Sequence, residues 1–129
     1  MEIAFEKGGG LVPAIIQDGR TSEVLMVGFM NAEALSETQR TRQAVFFSRS
    51  RGRLWRKGES SGHVLRVLEI RIDCDADALL LRVEPLGPGA CHEGYRSCFF
   101  RQVEANGSIR PLEERTFDPT KVYAPGTER

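Results

Sequence analysis

Between Val67 and Val83 the chain reads VLEIRIDCDADALLLRV, and this stretch restricts the possible folds more than any other. Leu68, Ile70, Ile72 and Cys74 alternate with Glu69, Arg71, Asp73 and Asp75, the two-residue period of a strand with one wetted face. The alternation ends near Ala76 and a continuous apolar run follows, so a tight turn over Asp75 to Asp77 joins two strands. The aspartates then crowd at the hairpin tip, and Cys74 points away from its acidic neighbours.

Other segments are consistent with this strand-rich start. LVPAIIQD and EVLMVGFM read as two short apolar strands joined by a polar turn at Asp18 to Thr21, after a Gly-Gly-Gly break at 8–10. Asn31 can cap a short helix over NAEALSETQR, and QAVFFS returns to strand character. The tail carries an Asn106-Gly107 turn signal, after which Pro119 and Pro125 break what regularity remains, so it wraps or frays. With no repeat or internal linker, residues 1–129 read as one compact α+β domain, mainly β, with one or two short helices.

The 40% hydrophobic content suffices for a core, and no apolar run is long enough to span a membrane. Eighteen basic residues balance eighteen acidic ones, which argues against a general nucleic-acid binder and requires any anionic ligand to meet a local patch. The N-terminus lacks the pattern of a secretory signal, and three cysteines cannot all pair with one another, so a reducing, cytoplasmic setting is expected.

All three cysteines and one of the two histidines fall between Asp73 and Cys98. Thiolates suit zinc, whereas Asp73, Asp75 and Asp77 offer the oxygen donors that suit magnesium, so two ions of different character fit. Read singly, a cysteine is often a small buried hydrophobe and alternating aspartates are often a solvated turn; the grouping carries the metal reading. Three cysteines without a Cys-x-x-Cys match a catalytic zinc site better than a structural one. Because Cys74 faces away from Asp73 and Asp75, one hairpin cannot easily turn every donor toward one pocket. A two-fold dimer in which Cys74 of one subunit meets Cys91 and Cys98 of the other resolves this. His92 is the candidate for activating water or moving a proton, with a fourth zinc ligand or an ordinary loop histidine as the alternatives.

The local anion patch lies in SRSRGRLWRKGESSGH, where Arg49, Arg51, Arg53, Arg56 and Lys57 surround Trp55. Arginine forks and loop donors suit phosphate oxygens, and the tryptophan can stack on a base or pack. A solvated surface loop and an RNA-contacting loop are the other readings.

Taken in order, GLVPAIIQD, VLMVGFMNAEAL, FFSRSRGRLWRKGESSGH, DCDADALL and CHEGYRSCF resemble the phosphoribosyl-AMP cyclohydrolases of histidine biosynthesis, from about Gly10 to Val103. The resemblance implies hydrolysis of the bond between N1 and carbon six of the purine ring by zinc-activated water with magnesium assistance. It implies zinc on Cys74, Cys91 and Cys98 across a closely packed homodimer, with sites at the interface, and magnesium on Asp73, Asp75 and Asp77. His92 becomes the expected catalytic group. Arg49, Arg51 and Lys57 become expected phosphate ligands, and Trp55, Glu59, Ser61 and His63 expected pocket residues. The implied partners are a small nucleotide substrate and a second copy of the chain, with neither membrane nor nucleic acid. Glu93, Leu65 and Arg42 depart from the family's usual threonine, glutamine and glycine, and GPGA before Cys91 is one residue longer. The competing expectation is a zinc-stabilised RNA-binding module.

Overall fold

The computed structural model describes residues 2–122; Pro125, expected to break the tail, lies outside them. Strand β1 (Val12–Asp18) and strand β2 (Val24–Met30) form an antiparallel hairpin, joined where Asp18 accepts the backbone N–H groups of Arg20 and Thr21. Helix α1 (Ala32–Thr41) follows, and the Asn31 side chain accepts from the Ala34 N–H as an N-cap should. The helix ends at Arg42, whose φ of 59° is left-handed, the conformation that glycine adopts most cheaply.

Strands β3 (Val45–Ser48) and β4 (Arg53–Arg56) make a second hairpin. The basic segment is therefore not a continuous loop: Trp55 stands in β4 with its ring 5.1 Å from that of Phe46. Strands β5 (Leu65–Ile72) and β6 (Leu79–Pro85) flank the acidic turn and complete a four-stranded sheet in the order β2-β1-β6-β5. Strand β6 runs parallel to β1 and antiparallel to β5.

The expected alternation in β5 needs one correction. The pairing shifts between Val67 and Glu69, so Leu68 is the extra residue of a bulge and is 46% exposed. Leu65 and Val67 before the bulge and Ile70 after it face the core, Val67 and Ile70 opposite Val83 and Leu81, while Ile72, opposite Leu79, is 40% exposed.

The inner face of the sheet carries Val12, Ala14, Ile16, Met26, Leu79, Leu81 and Val83 into a core closed by Leu35 of α1 and Phe46 of β3. Gly28 lies against Phe46 so closely that a Cβ there would strike the ring. Strands β7 (Arg101–Val103) and β8 (Ile109–Pro111) form a separate two-stranded ribbon across the expected Asn-Gly turn. The chain is thus one compact α+β domain, mainly strands with a single α-helix among the described residues. No helix among them is long and apolar enough to cross a membrane.

Candidate active site

The loop from Cys91 to Cys98 doubles back on itself. The Cys91 N–H donates to the Tyr95 carbonyl and the Gly94 N–H to the Cys91 carbonyl, with Gly94 at a φ of +98°. This turn brings the Cys98 thiol into hydrogen-bonding contact with Cys91, which is buried, while Cys98 is half-buried. That hydrogen bond lowers the Cys91 pKa from 9.0 to about 6; burial and the Glu93 charge oppose the shift, and the N–H groups of Glu93 and Tyr95 support it. A thiol that ionises this readily beside a second thiol is suited to a thiophilic cation.

Three contacts fasten this loop to the first hairpin. The Cys98 N–H donates to the Leu25 carbonyl at 2.7 Å, Ser97 Oγ donates to the Val24 carbonyl at 2.7 Å, and the Arg96 guanidinium bonds Asp18 and Glu23. Burial pushes the Asp18 carboxyl up, but the Arg20 and Thr21 N–H groups and the Arg96 charge outweigh it and hold the pKa below the usual carboxylate range. His92 is half-buried beside Cys91, and Arg115 donates to the Glu93 carbonyl from the wrapping tail.

At the β5–β6 tip, one oxygen from each of Asp73, Asp75 and Asp77 lies within 4.8 Å of the others. Asp73 Oδ1 accepts the N–H groups of Asp77 and Ala78, which folds the turn, and Ala76 takes a left-handed φ of 64°. The crowding has an electrostatic cost: a hydrogen bond with Asp75 raises the Asp77 pKa while lowering that of Asp75. Lys7 Nζ stands 3.7 Å from Asp75 and 3.8 Å from Asp77. Three converging carboxylate oxygens fit a hard cation.

Cys74 is exposed at this tip and does not join the other two thiols. The topology explains why. Cys74 follows β5, one edge of the sheet, at the end where Leu79 pairs with Ala14 and Ala14 with Gly28. Cys98 is bonded to Leu25 on β2, the opposite edge, at the other end. Strand spacings of about 4.8 Å and rises of about 3.3 Å put this diagonal on the order of 15–20 Å.

The β3–β4 hairpin presents Arg49 and Arg51 at its exposed tip. A cavity of about 480 Å³ lies between this hairpin and β2, lined by Phe29, Phe47, Ser48, Arg49, Ser50 and Trp55 among others. The Arg49 guanidinium sits 3.9 Å from the Phe29 ring centroid. Lys57 is fully buried, its Nζ 5.9 Å from the Trp55 ring, so its charge reaches the cavity through protein and not by direct contact. Glu59 turns back on its own hairpin, accepting from the Arg56 N–H and pairing with Arg53. Ser61 accepts from the His63 N–H, and the His63 ring meets Phe117 edge-on at 4.8 Å. Phe29, Phe47, Ser48, Ser50 and Phe117 escaped the sequence reading because their places depend on contacts between distant segments. Arg49 next to an aromatic strand was the nearest available signal.

These features define a small α+β protein with a paired-thiol loop, an acidic hairpin tip and an aromatic, cationic groove. The family model described as phosphoribosyl-AMP cyclohydrolase matches residues 26–100. A protein of that name from Nitratidesulfovibrio vulgaris is 55% identical over 119 residues, covering 92% of this chain and 94% of its own length. Those from Desulforapulum autotrophicum and Solibacter usitatus are 54% and 55% identical over 123 residues, covering 95% of this chain and 98% and 97% of theirs. The chain belongs to the phosphoribosyl-AMP cyclohydrolase family.

Proposed function

We propose that this chain, as a single domain over residues 1–129, hydrolyses the N1 to carbon six bond of phosphoribosyl-AMP in histidine biosynthesis. The observation that carries the reading is the family match across the thiol loop, the acidic tip and the basic hairpin together. The oxygen of water bonds to carbon six, the carbon six to N1 bond breaks, and N1 takes up a proton. The product is the ring-opened formimino carboxamide, with no ammonia released.

Cys91 and Cys98 of one chain with Cys74 of a second would hold zinc, and Asp73, Asp75 and Asp77 would hold magnesium; bound there, these ions supply Lewis acidity toward water and positive charge beside the phosphates. His92, next to Cys91, holds and moves the proton that N1 requires. Arg49 and Arg51 fork onto phosphate oxygens from the exposed hairpin tip. Trp55 offers a ring face to the base, and Lys57 adds positive potential from behind it. Glu59, Ser61 and His63, on the loop that follows β4, are the further residues we assign to substrate binding. Thiolate donors need a reducing compartment, and the cytoplasm supplies one.

The test is the ultraviolet change on adding phosphoribosyl-AMP to purified protein, with zinc measured in the same sample and magnesium either present or chelated. Metal-dependent conversion that disappears in Cys91→Ser is expected. Full conversion by a zinc-free Cys91→Ser protein would remove the metal assignment. Zinc-loaded protein that binds RNA in a salt-sensitive way and converts nothing would remove the enzyme reading.

A further inference from the structure

We propose that Gly87 and Phe117 form the two walls of a slot that fixes the imidazole of His63 for substrate, with Phe117 as a positioning residue clasped to the thiol loop. The inference rests on the reading that His63 contacts phosphoribosyl-AMP, and it adds what sets the place of that ring. Phe117 lies beyond residue 100, where the match to the family model ends.

One wall comes from the sheet. Leu65 pairs with Pro85 where β5 begins and β6 ends, and the Leu86 N–H donates to the Val64 carbonyl at 2.9 Å. Continuing that antiparallel register by two residues sets His63 opposite Gly87. The approach is so close that a Cβ on Gly87 would stand 2.5 Å from His63 Cγ and 2.8 Å from His63 Cβ. Both atoms lie next to the backbone, so the ring would make room only by leaving its rotamer.

The other wall comes from the tail. The Phe117 and His63 rings meet at 4.8 Å and 88°, the edge-to-face arrangement that the aromatic quadrupole favours. A clasp on both flanks of Cys91 brings Phe117 there. Thr116 Oγ1 donates to the Pro88 carbonyl at 2.8 Å, and the Thr116 N–H donates to the Gly94 carbonyl at 2.7 Å. Pro88 and Gly94 stand three residues before and after Cys91, and Arg115 Nε adds a bond to the Glu93 carbonyl at 2.8 Å. Gly94 has no side chain to hold the tail off, since a Cβ would stand 2.6 Å from the Phe117 carbonyl oxygen. One short segment thus ties His63 to the loop that carries Cys91 and His92. An imidazole already confined to one orientation has little rotamer freedom left to lose when substrate binds, so the slot acts on KM.

The experiment is the kinetics of Phe117→Leu and Gly87→Ala, each alone and combined with His63→Ala, with proton NMR of the histidine rings. Phe117→Leu widens the slot and Gly87→Ala overfills it, so each should raise KM at least about 5-fold while kcat stays within about 2-fold of the parent. Phe117→Tyr, which keeps the ring, should keep the parental KM. In the His63→Ala background neither change should move KM further, because the ring on which they act is gone. A merely structural role would cost the same in both backgrounds. An unaltered KM in folded Phe117→Leu, or equal losses with and without His63, overturns the assignment; if Phe117→Leu does not fold, Gly87→Ala decides by the same comparison. The chain has two histidines, so His63→Ala identifies the His63 ring signals, and loss of the Phe117 ring current should shift them. A parent that converts nothing discards the reaction, and the spectrum then decides the slot, with unshifted His63 signals overturning it.

Discussion

Arg96 donates from Nη2 to Asp18 at 2.9 Å, so a guanidinium two residues before Cys98 is locked to a carboxylate that is 2% exposed at the end of β1. The paired-thiol loop thereby takes its position from the first hairpin. Asp18→Asn should lower stability by about 1–3 kcal/mol, because Arg96 loses the buried one of its two charged acceptors while the turn keeps its shape. The folded-state pKa of Asp18 is depressed, so its contribution is present above the unfolded carboxylate value near 4 and is lost as pH falls through the folded value. Urea unfolding from pH 7 down to 3 should show a steeper loss below pH 4 in the parent than in Asp18→Asn; parallel curves would refute the coupling.

In metal-free, reduced protein the Cys91 thiolate should form with a midpoint of about 6, followed by thiolate ultraviolet absorbance. Cys98→Ala removes the hydrogen bond that does most to lower the midpoint, and should move it back toward 9.0. Glu93→Thr removes an opposing negative charge and should move it down. An unchanged midpoint in Cys98→Ala would show that the thiol pair does not interact.

Lys7 offsets part of the acidic tip's charge by pairing with Asp75 and Asp77. Lys7→Gln should tighten magnesium binding several-fold at low ionic strength, since an entering cation no longer competes with an ammonium for Asp75 and Asp77. Affinity in both proteins should rise with pH as Asp77 ionises, since its pKa is raised by its hydrogen bond with Asp75. Titration calorimetry with Lys7→Gln binding no more tightly than the parent would rule this out.

Arg42 ends α1 with a left-handed φ, and its N–H bonds the Thr38 carbonyl. Arg42→Gly should therefore stabilise the protein by about 0.5–1 kcal/mol in urea unfolding, against the usual direction of a change to glycine. Destabilisation would mean that the Arg42 side chain, which reaches the Val67 carbonyl, matters more than the backbone conformation.

Local periodicity carried much of the architecture. The β1–β2 hairpin, the Asn31 cap, the acidic turn and the β7–β8 turn each depend on residues within a few positions of one another, where dihedral preference and side-chain alternation act directly. The basic hairpin was read as loop because β4 is only four residues long and carries charges at both ends, so Leu54 and Trp55 show no period of their own. Leu68 broke the alternation of β5 because a bulge leaves no mark in the order of apolar and polar residues.

The candidate metal donors were legible as residue types, and so was the incompatibility of Cys74 with its flanking aspartates. Where those donors stand depended on tertiary structure. The parallel pairing of β6 with β1 puts Cys74 and Cys98 at opposite corners, the packing under Trp55 buries Lys57, and the tail brings Phe117 onto His63. A sequence by itself determines what repeats over two to four residues, since backbone geometry enforces it locally. Contacts closed over tens of residues are decided by which apolar faces can be buried together, and only the folded chain resolves that competition.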